Sequence, residues 1–189
     1  MNTRARLAPV LLAATIVGGL ATTATAPAQA QPTASAAASS YYLKFDKRTN
    51  TNSTLALMKS VSGPDKVIKK YRAGSGVSTN ECASLRGWLP TKTYKIKKWY
   101  KKYDGTAIKG YAFHLNDTTC KNGYTRRTQL FIHSEMTKNG GQGSSEPRRW
   151  DGNSDYKSAG CIKLKPADIK DLYKRGKNLG FPKKLIVTN

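Results

Sequence analysis

Apolar and polar side chains alternate with a period of two along much of the chain between residues 41 and 133. That period puts successive side chains on opposite faces of a strand, so residues 41–45, 54–61 and 66–73 are predicted strands. A polar segment over 46–53 turns between the first two, and Ser62-Gly63-Pro64-Asp65 turns before the third. Gly74-Ser75-Gly76 then interrupts the pattern. Residues 94–100 alternate again, with a lysine-rich face opposite an apolar one, and Asp104-Gly105 ends that strand in a hairpin-type turn. Further strands are expected at 110–115 and 129–133. After residue 165 the period changes. Pro166 suits a first helical turn, and Ile169, Leu172 and Tyr173 recur at offsets of three and four. Lys174, Arg175 and Lys177 complement the C-terminal end of the helix dipole, and Gly176 or Gly180 is available as a cap. Residues 185–187 form a last strand. The pattern predicts a mainly β, mostly antiparallel protein with one C-terminal helix beside the sheet.

The first thirty residues depart from this pattern. Arg4 and Arg6 precede an apolar stretch over 7–20, and Ala28-Gln29-Ala30 has the small-x-small form of a cleavage site. Residues 1–30 are therefore expected to be a signal peptide, and the apolar stretch is short of the ~20 residues a membrane span requires. Residues 31–40, rich in Ala, Ser, Thr and Pro, are expected to be a flexible leader, leaving 41–189 as one domain with room for a real core. Secretion to the cell wall, no transmembrane segment and a monomer are the corresponding expectations. The formal charge is +22, and loss of Arg4 and Arg6 lowers it only to +20. Such a balance attracts polyanions. Export makes anionic wall polymers the expected partner class and specific nucleic-acid binding unexpected.

Export also sets the chemistry of Cys82, Cys120 and Cys161, because pairs of thiols tend to close in an oxidising compartment. Three cysteines allow three single bridges and leave one thiol over. Cys82 and Cys120 lie in polar, loop-like contexts, whereas Cys161 lies between a glycine and an apolar stretch in Ser158-Ala159-Gly160-Cys161-Ile162-Lys163-Leu164. Context favours a Cys82–Cys120 bridge, and the residues alone leave the pairing open. A lone thiol is a nucleophile once a base lies beside it; its ordinary pKa of about 8.5 leaves it mostly protonated at neutral pH. Only His114 and His133 are available. His133 ends an apolar strand before a glycine-rich loop, as a residue at a sheet rim would, whereas His114 sits inside a strand. His133 is the expected base, Ser134 orients its ring through a backbone carbonyl, and Cys161 is expected to be a free, activated thiolate. Glycine at 160 allows a tight turn, so backbone N–H groups there are expected to face a developing oxyanion. Two histidines and one thiol make no credible zinc set, and no cofactor is expected.

These segments resemble the L,D-transpeptidases of bacterial cell walls, the YkuD-type catalytic domain. That family has a histidine at a strand end followed by a Ser/Thr-His-Gly-Cys run, matched here by Ile132-His133-Ser134 and Ser158-Ala159-Gly160-Cys161. The stretch from Gly87-Trp88-Leu89-Pro90 to Ile96, the helix after the cysteine and the last strand are also similar to it. The resemblance covers about residues 41–187. It implies an L,D-transpeptidase-like β-sandwich with a helix after the catalytic cysteine. It implies a Cys161 nucleophile acting on peptidoglycan stem peptides with His133 as base. The N–H groups of Gly160, Cys161 and Ala159 would serve the oxyanion hole. With Cys161 so assigned, Cys82 and Cys120 are left to pair. Ser158, Lys163, Trp150 and Arg149 are the expected substrate contacts.

Three departures from the family stand out. Ala159 replaces the usual histidine, so only its backbone remains useful. Lys163 stands where Arg or Asn is common, without the guanidinium fork. Twenty-four residues separate His133 from Ser158, more than the family usually has, and the surplus reads as a longer lid over the cleft. The competing expectation is a non-catalytic, basic protein that binds the wall or another polyanion on the same fold, with Trp88, Trp99 and Trp150 available to stack on sugar rings.

Overall fold

A computed structural model describes residues 40–189, so the expected signal peptide and all but the end of the leader lie outside the described residues. Ten strands, one α-helix and two short 3-10 turns are present: β1 (Tyr41–Asp46), β2 (Ser53–Lys59), β3 (Lys66–Ser75), β4 (Thr93–Asp104), β5 (Lys109–Leu115), β6 (Thr118–Thr119), β7 (Arg126–Arg127), β8 (Phe131–His133), β9 (Ile162–Lys163), α1 (Pro166–Asn178) and β10 (Lys184–Thr188). The chain is mainly β, as its period predicts. Among the described residues no helix is long and apolar enough to cross a membrane.

Eight strands close into a ring in the order β1-β10-β4-β5-β8-β9-β3-β2, with β6 and β7 as a separate ribbon. The expected sandwich is recognisable as two sheets, and the two longest strands join them. Along β3, residues up to Ala73 pair with β2, whereas Gly74 and Ser75 pair with Lys163 and Ile162 of β9. Along β4, residues 93–95 pair with β10 and the rest with β5. Register shifts between Ile96 and Lys98, and again between Tyr100 and Tyr103, let β4 bend from one sheet to the other. Closure of this kind leaves neither sheet with a long unpaired edge.

Alternation does place one face inside. Leu43 and Phe45 of β1, Leu55 and Leu57 of β2, Tyr94 and Ile96 of β4, and Phe113 and Leu115 of β5 are buried in a single cluster. Helix α1 adds Ile169 and Leu172 to the same cluster, with Pro166 in its first turn. Gly176 is an interior position, pressed against the Trp99 ring: a Cβ there would lie 2.5 Å from Trp99 Cζ3. The cap is Gly180, at φ +72°, with Phe181 N–H donating to Gly176 O at 2.7 Å and Gly180 N–H to Lys177 O at 3.3 Å.

Local backbone explains where strand lengths differ from the pattern. Gln129 adopts φ +52°, so the strand expected from 129 begins only at Phe131. The two-residue strands β6, β7 and β9 are too short for any alternation to show.

Candidate active site

His133 is the last residue of β8, a strand paired on both sides. It lies opposite Ala112 of β5 in an antiparallel ladder and opposite Lys163 of β9 in a parallel one. Cys161 immediately precedes β9, so this parallel register sets it beside Phe131, two residues before His133 along β8. Cys161 and His133 line a cleft of about 650 Å³ together with Ser134, Glu135, Ser158, Ala159 and Lys163. The lining also includes Tyr103, Thr106 and Ile108 at the β4–β5 turn and Gln129 before β8.

His133 is 7% exposed. Its Nδ1 lies 3.1 Å from the Ser134 carbonyl. A carbonyl only accepts, so Nδ1 carries the proton and Nε2 keeps a free lone pair. Burial, reinforced by the nearby Lys163 charge, pushes the imidazole down from 6.5 to about 3 despite that hydrogen bond. The ring is neutral at physiological pH. His114, in contrast, stacks on Phe131 with ring centroids 4.6 Å apart and does not line the cleft.

Cys161 is the free cysteine. Its Sγ sits 3.6 Å from the Gln129 carbonyl and also faces the backbone N–H of Phe131. Burial pushes the thiol up to about 11, against the opposing pull of that N–H, Lys163 and Arg127. The expected resting thiolate is therefore not the form that this environment favours; thiol and neutral imidazole coexist.

The turn before Cys161 is built around Ser158. Its hydroxyl donates to Cys161 O at 2.7 Å and accepts from Gly76 N–H at 2.9 Å and Gly160 N–H at 3.0 Å. Ser158 thus organises the turn, with its hydroxyl taken up by backbone. The same bond corrects the oxyanion expectation, because the Gly160 N–H already has a partner. Among the described residues the Ala159 and Cys161 N–H groups have none. Gly160 itself needs φ +126° and close packing, and Ser75 Oγ donates to its carbonyl at 3.3 Å.

Lys163 pairs with Glu135 inside the cleft, each side chain 12% exposed. Burial raises the Glu135 carboxyl even so. Its Oε2 and the Ser134 hydroxyl are buried without hydrogen-bond partners. Trp150 and Arg149 are not cleft residues. Trp150 packs edge-on against Tyr156, and Arg149 is drawn to Glu146 and Asp151. Trp99 stacks on Phe113 with its Nε1 donating to Pro182 O, and Trp88 lies beneath the Lys47 ammonium. These rings are committed to packing rather than to a sugar platform.

The long segment after His133 is ordered by its own hydrogen bonds. Gln142 donates to Glu135 O and accepts from Trp150 N–H. Arg148 reaches the carbonyls of Thr106 and Ala107 at 2.8 and 2.9 Å, bringing Pro147 to the cleft wall. Glu146, Asp151 and Asp155 approach one another, yet Arg149 and the N–H groups of Asp151 and Gly152 already satisfy them. Cys82 and Cys120 form the disulfide, with Cα atoms 5.3 Å apart.

The histidine, the cysteine and the helix after it fall within residues 46–180, which match the L,D-transpeptidase catalytic domain, YkuD. The chain belongs to that family. A comparison with curated proteins returns no match. Among solved structures, Bdellovibrio bacteriovorus Bd1075 is similar at 16% identity, with a TM-score of 0.52 over 79% of this chain. That likeness concerns the fold, and the aligned region spans 48% of the Bd1075 chain. Signals for the remaining cleft residues were weak in the sequence. Tyr103, the 105–108 turn, Gln129 and Glu135 carry no motif, and only the ring closure assembles them around Cys161.

Proposed function

We propose that the protein is an exported cysteine acyltransferase acting on peptidoglycan stem peptides. The family supports an L,D-transpeptidase-type activity on peptidoglycan. The observation that supports the finer reading is the shared cleft, which is lined by Cys161, a free cysteine, by His133, whose Nδ1 is bound to the Ser134 carbonyl, and by Ala159.

In this reading a stem peptide places the carbonyl of an L-centre against Cys161 Sγ. His133 Nε2 takes the thiol proton as sulfur attacks, because neither group is charged beforehand. The N–H groups of Ala159 and Cys161 hold the developing oxyanion. Collapse breaks the bond to the terminal D-residue, whose amine receives the proton from His133, and leaves a thioester. An amine of a neighbouring stem then yields a cross-link, or water yields a trimmed stem. The Ser134 carbonyl keeps the imidazole in the tautomer that both proton transfers require. Exposed lysines of β3, β4 and β10 support attraction to anionic wall polymers.

The test is incubation of the mature protein with purified muropeptides and mass analysis of the products. Release of a terminal D-residue by the unsubstituted protein and not by Cys161→Ala is expected. Equal turnover by both proteins would refute the assignment. A new dimer identifies cross-linking; a stem shortened without dimer identifies the carboxypeptidase outcome.

A further inference from the structure

Arg127 stands on β7, outside every motif in the sequence, and its side chain runs inward until only 4% of the residue is exposed. Its guanidinium donates to four backbone carbonyls: Glu81, Trp88 at 3.1 Å, Gly87 at 3.0 Å and Ala159 at 3.3 Å. Among the described residues no carboxylate forms an ion pair with it. A guanidinium stays protonated when buried, and desolvation makes an uncompensated cation costly. The carbonyls satisfy its N–H groups and leave its net charge in place.

The cation lies against the turn before the cysteine. A Cβ on Gly160 would sit 1.9 Å from Arg127 Nη2, so the left-handed glycine and the guanidinium occupy adjoining space. The neighbouring Cys82–Cys120 bridge joins the two segments that hold Arg127, since Cys82 follows Glu81 and Cys120 follows β6, the partner of β7. A braced cation therefore abuts the one stretch of chain that sets the position of Sγ.

The geometry points to Arg127 as a positioning residue for the nucleophile: it holds the Ala159-Gly160-Cys161 turn and keeps a cation without an ion-pair partner against it. This rests on Cys161 being the nucleophile, but it concerns the thiol itself and is read without any substrate. The Phe131 N–H, Lys163 (itself paired with Glu135) and Arg127 all favour the Cys161 thiolate, so removing the Arg127 charge raises the pH at which Cys161 ionises while the other two remain.

The experiment measures iodoacetamide alkylation of Cys161 against pH, with the adduct mapped by mass, in the unsubstituted protein, Arg127→Gln and Arg127→Lys. Arg127→Gln is expected to alkylate roughly tenfold more slowly near pH 8, as a one-unit rise in the thiol pKa requires. Arg127→Lys keeps the charge but not the fork, so its alkylation midpoint stays close to the unsubstituted value while turnover of muropeptide falls. A folded Arg127→Gln protein, judged by near-ultraviolet circular dichroism, with an unchanged alkylation profile overturns the proposal. Should Arg127→Gln fail to fold, the unsubstituted protein decides by NMR. The guanidinium ¹⁵N resonances of Arg127 are expected to shift with the same midpoint as Cys161 alkylation, and invariant resonances across that titration overturn the proposal. Loss of muropeptide turnover in Cys161→Ala reports separately on the acyltransferase reading.

Discussion

Acid should destabilise this protein through His133, and by an amount the burial of the ring sets. The imidazole is folded in its neutral form, with its pKa pushed from 6.5 down to about 3 by burial and the Lys163 charge. Below 6.5 the unfolded chain binds a proton that the folded chain refuses. Stability from this group is therefore present above 6.5 and is lost as the pH falls toward about 3. At roughly 1.4 kcal/mol per unit, the loss reaches about 3 kcal/mol at pH 4 and approaches about 5 kcal/mol below pH 3. Carboxylates held low by their partners, such as Asp171 beside Arg175 and Tyr71, weaken the fold in the same direction. The comparison must therefore be with His133→Gln, which cannot titrate. Urea unfolding followed by tryptophan fluorescence, at pH 7 and pH 4, measures both proteins. The advantage of the unsubstituted protein over His133→Gln should shrink by about 3 kcal/mol on acidification. Parallel stability profiles would refute a neutral, desolvated imidazole and with it the proton-transfer scheme. The same ring state places the acid limb of kcat/KM well below 6.5.

Other consequences concern the scaffold around the cleft. Gly160→Ala forces a Cβ against Arg127 Nη2 at φ +126°, whereas Gly123→Ala meets nothing within 4 Å at φ +78°. Urea melts should show the first variant losing at least ~2 kcal/mol more than the second, by clash added to backbone strain. Replacing Cys82 and Cys120 together by serine opens a bridge spanning 38 residues, and should cost ~2–4 kcal/mol in the same assay. Lys163→Met strands the Glu135 carboxylate in the cleft and should destabilise by ~3–5 kcal/mol near neutral pH, while Lys163→Met with Glu135→Leu recovers most of the loss. A single variant no worse than the double would show that the pair is already solvated.

Much of this protein is determined by neighbours along the chain. A period of two puts Leu43 and Phe45, or Tyr94 and Ile96, on one face whatever lies opposite. Pro166 and the spacing of Ile169 and Leu172 specify α1 in the same local way. The scarcity of histidine narrowed the base to two candidates, and a polar context for Cys82 and Cys120 pointed to their bridge. Hydrogen bonds and packing between distant segments decided the rest. The bends of β3 and β4, which turn two sheets into a closed ring, depend on pairings that no local pattern encodes. Ser158 consumes the Gly160 N–H, Trp150 and Arg149 turn to partners away from the cleft, and desolvation pushes the Cys161 thiol up. Arg127 is one of 33 basic residues in the sequence. Its difference from the others lies in where the folded chain buries it, because desolvation and charge act through space and leave no trace in sequence spacing.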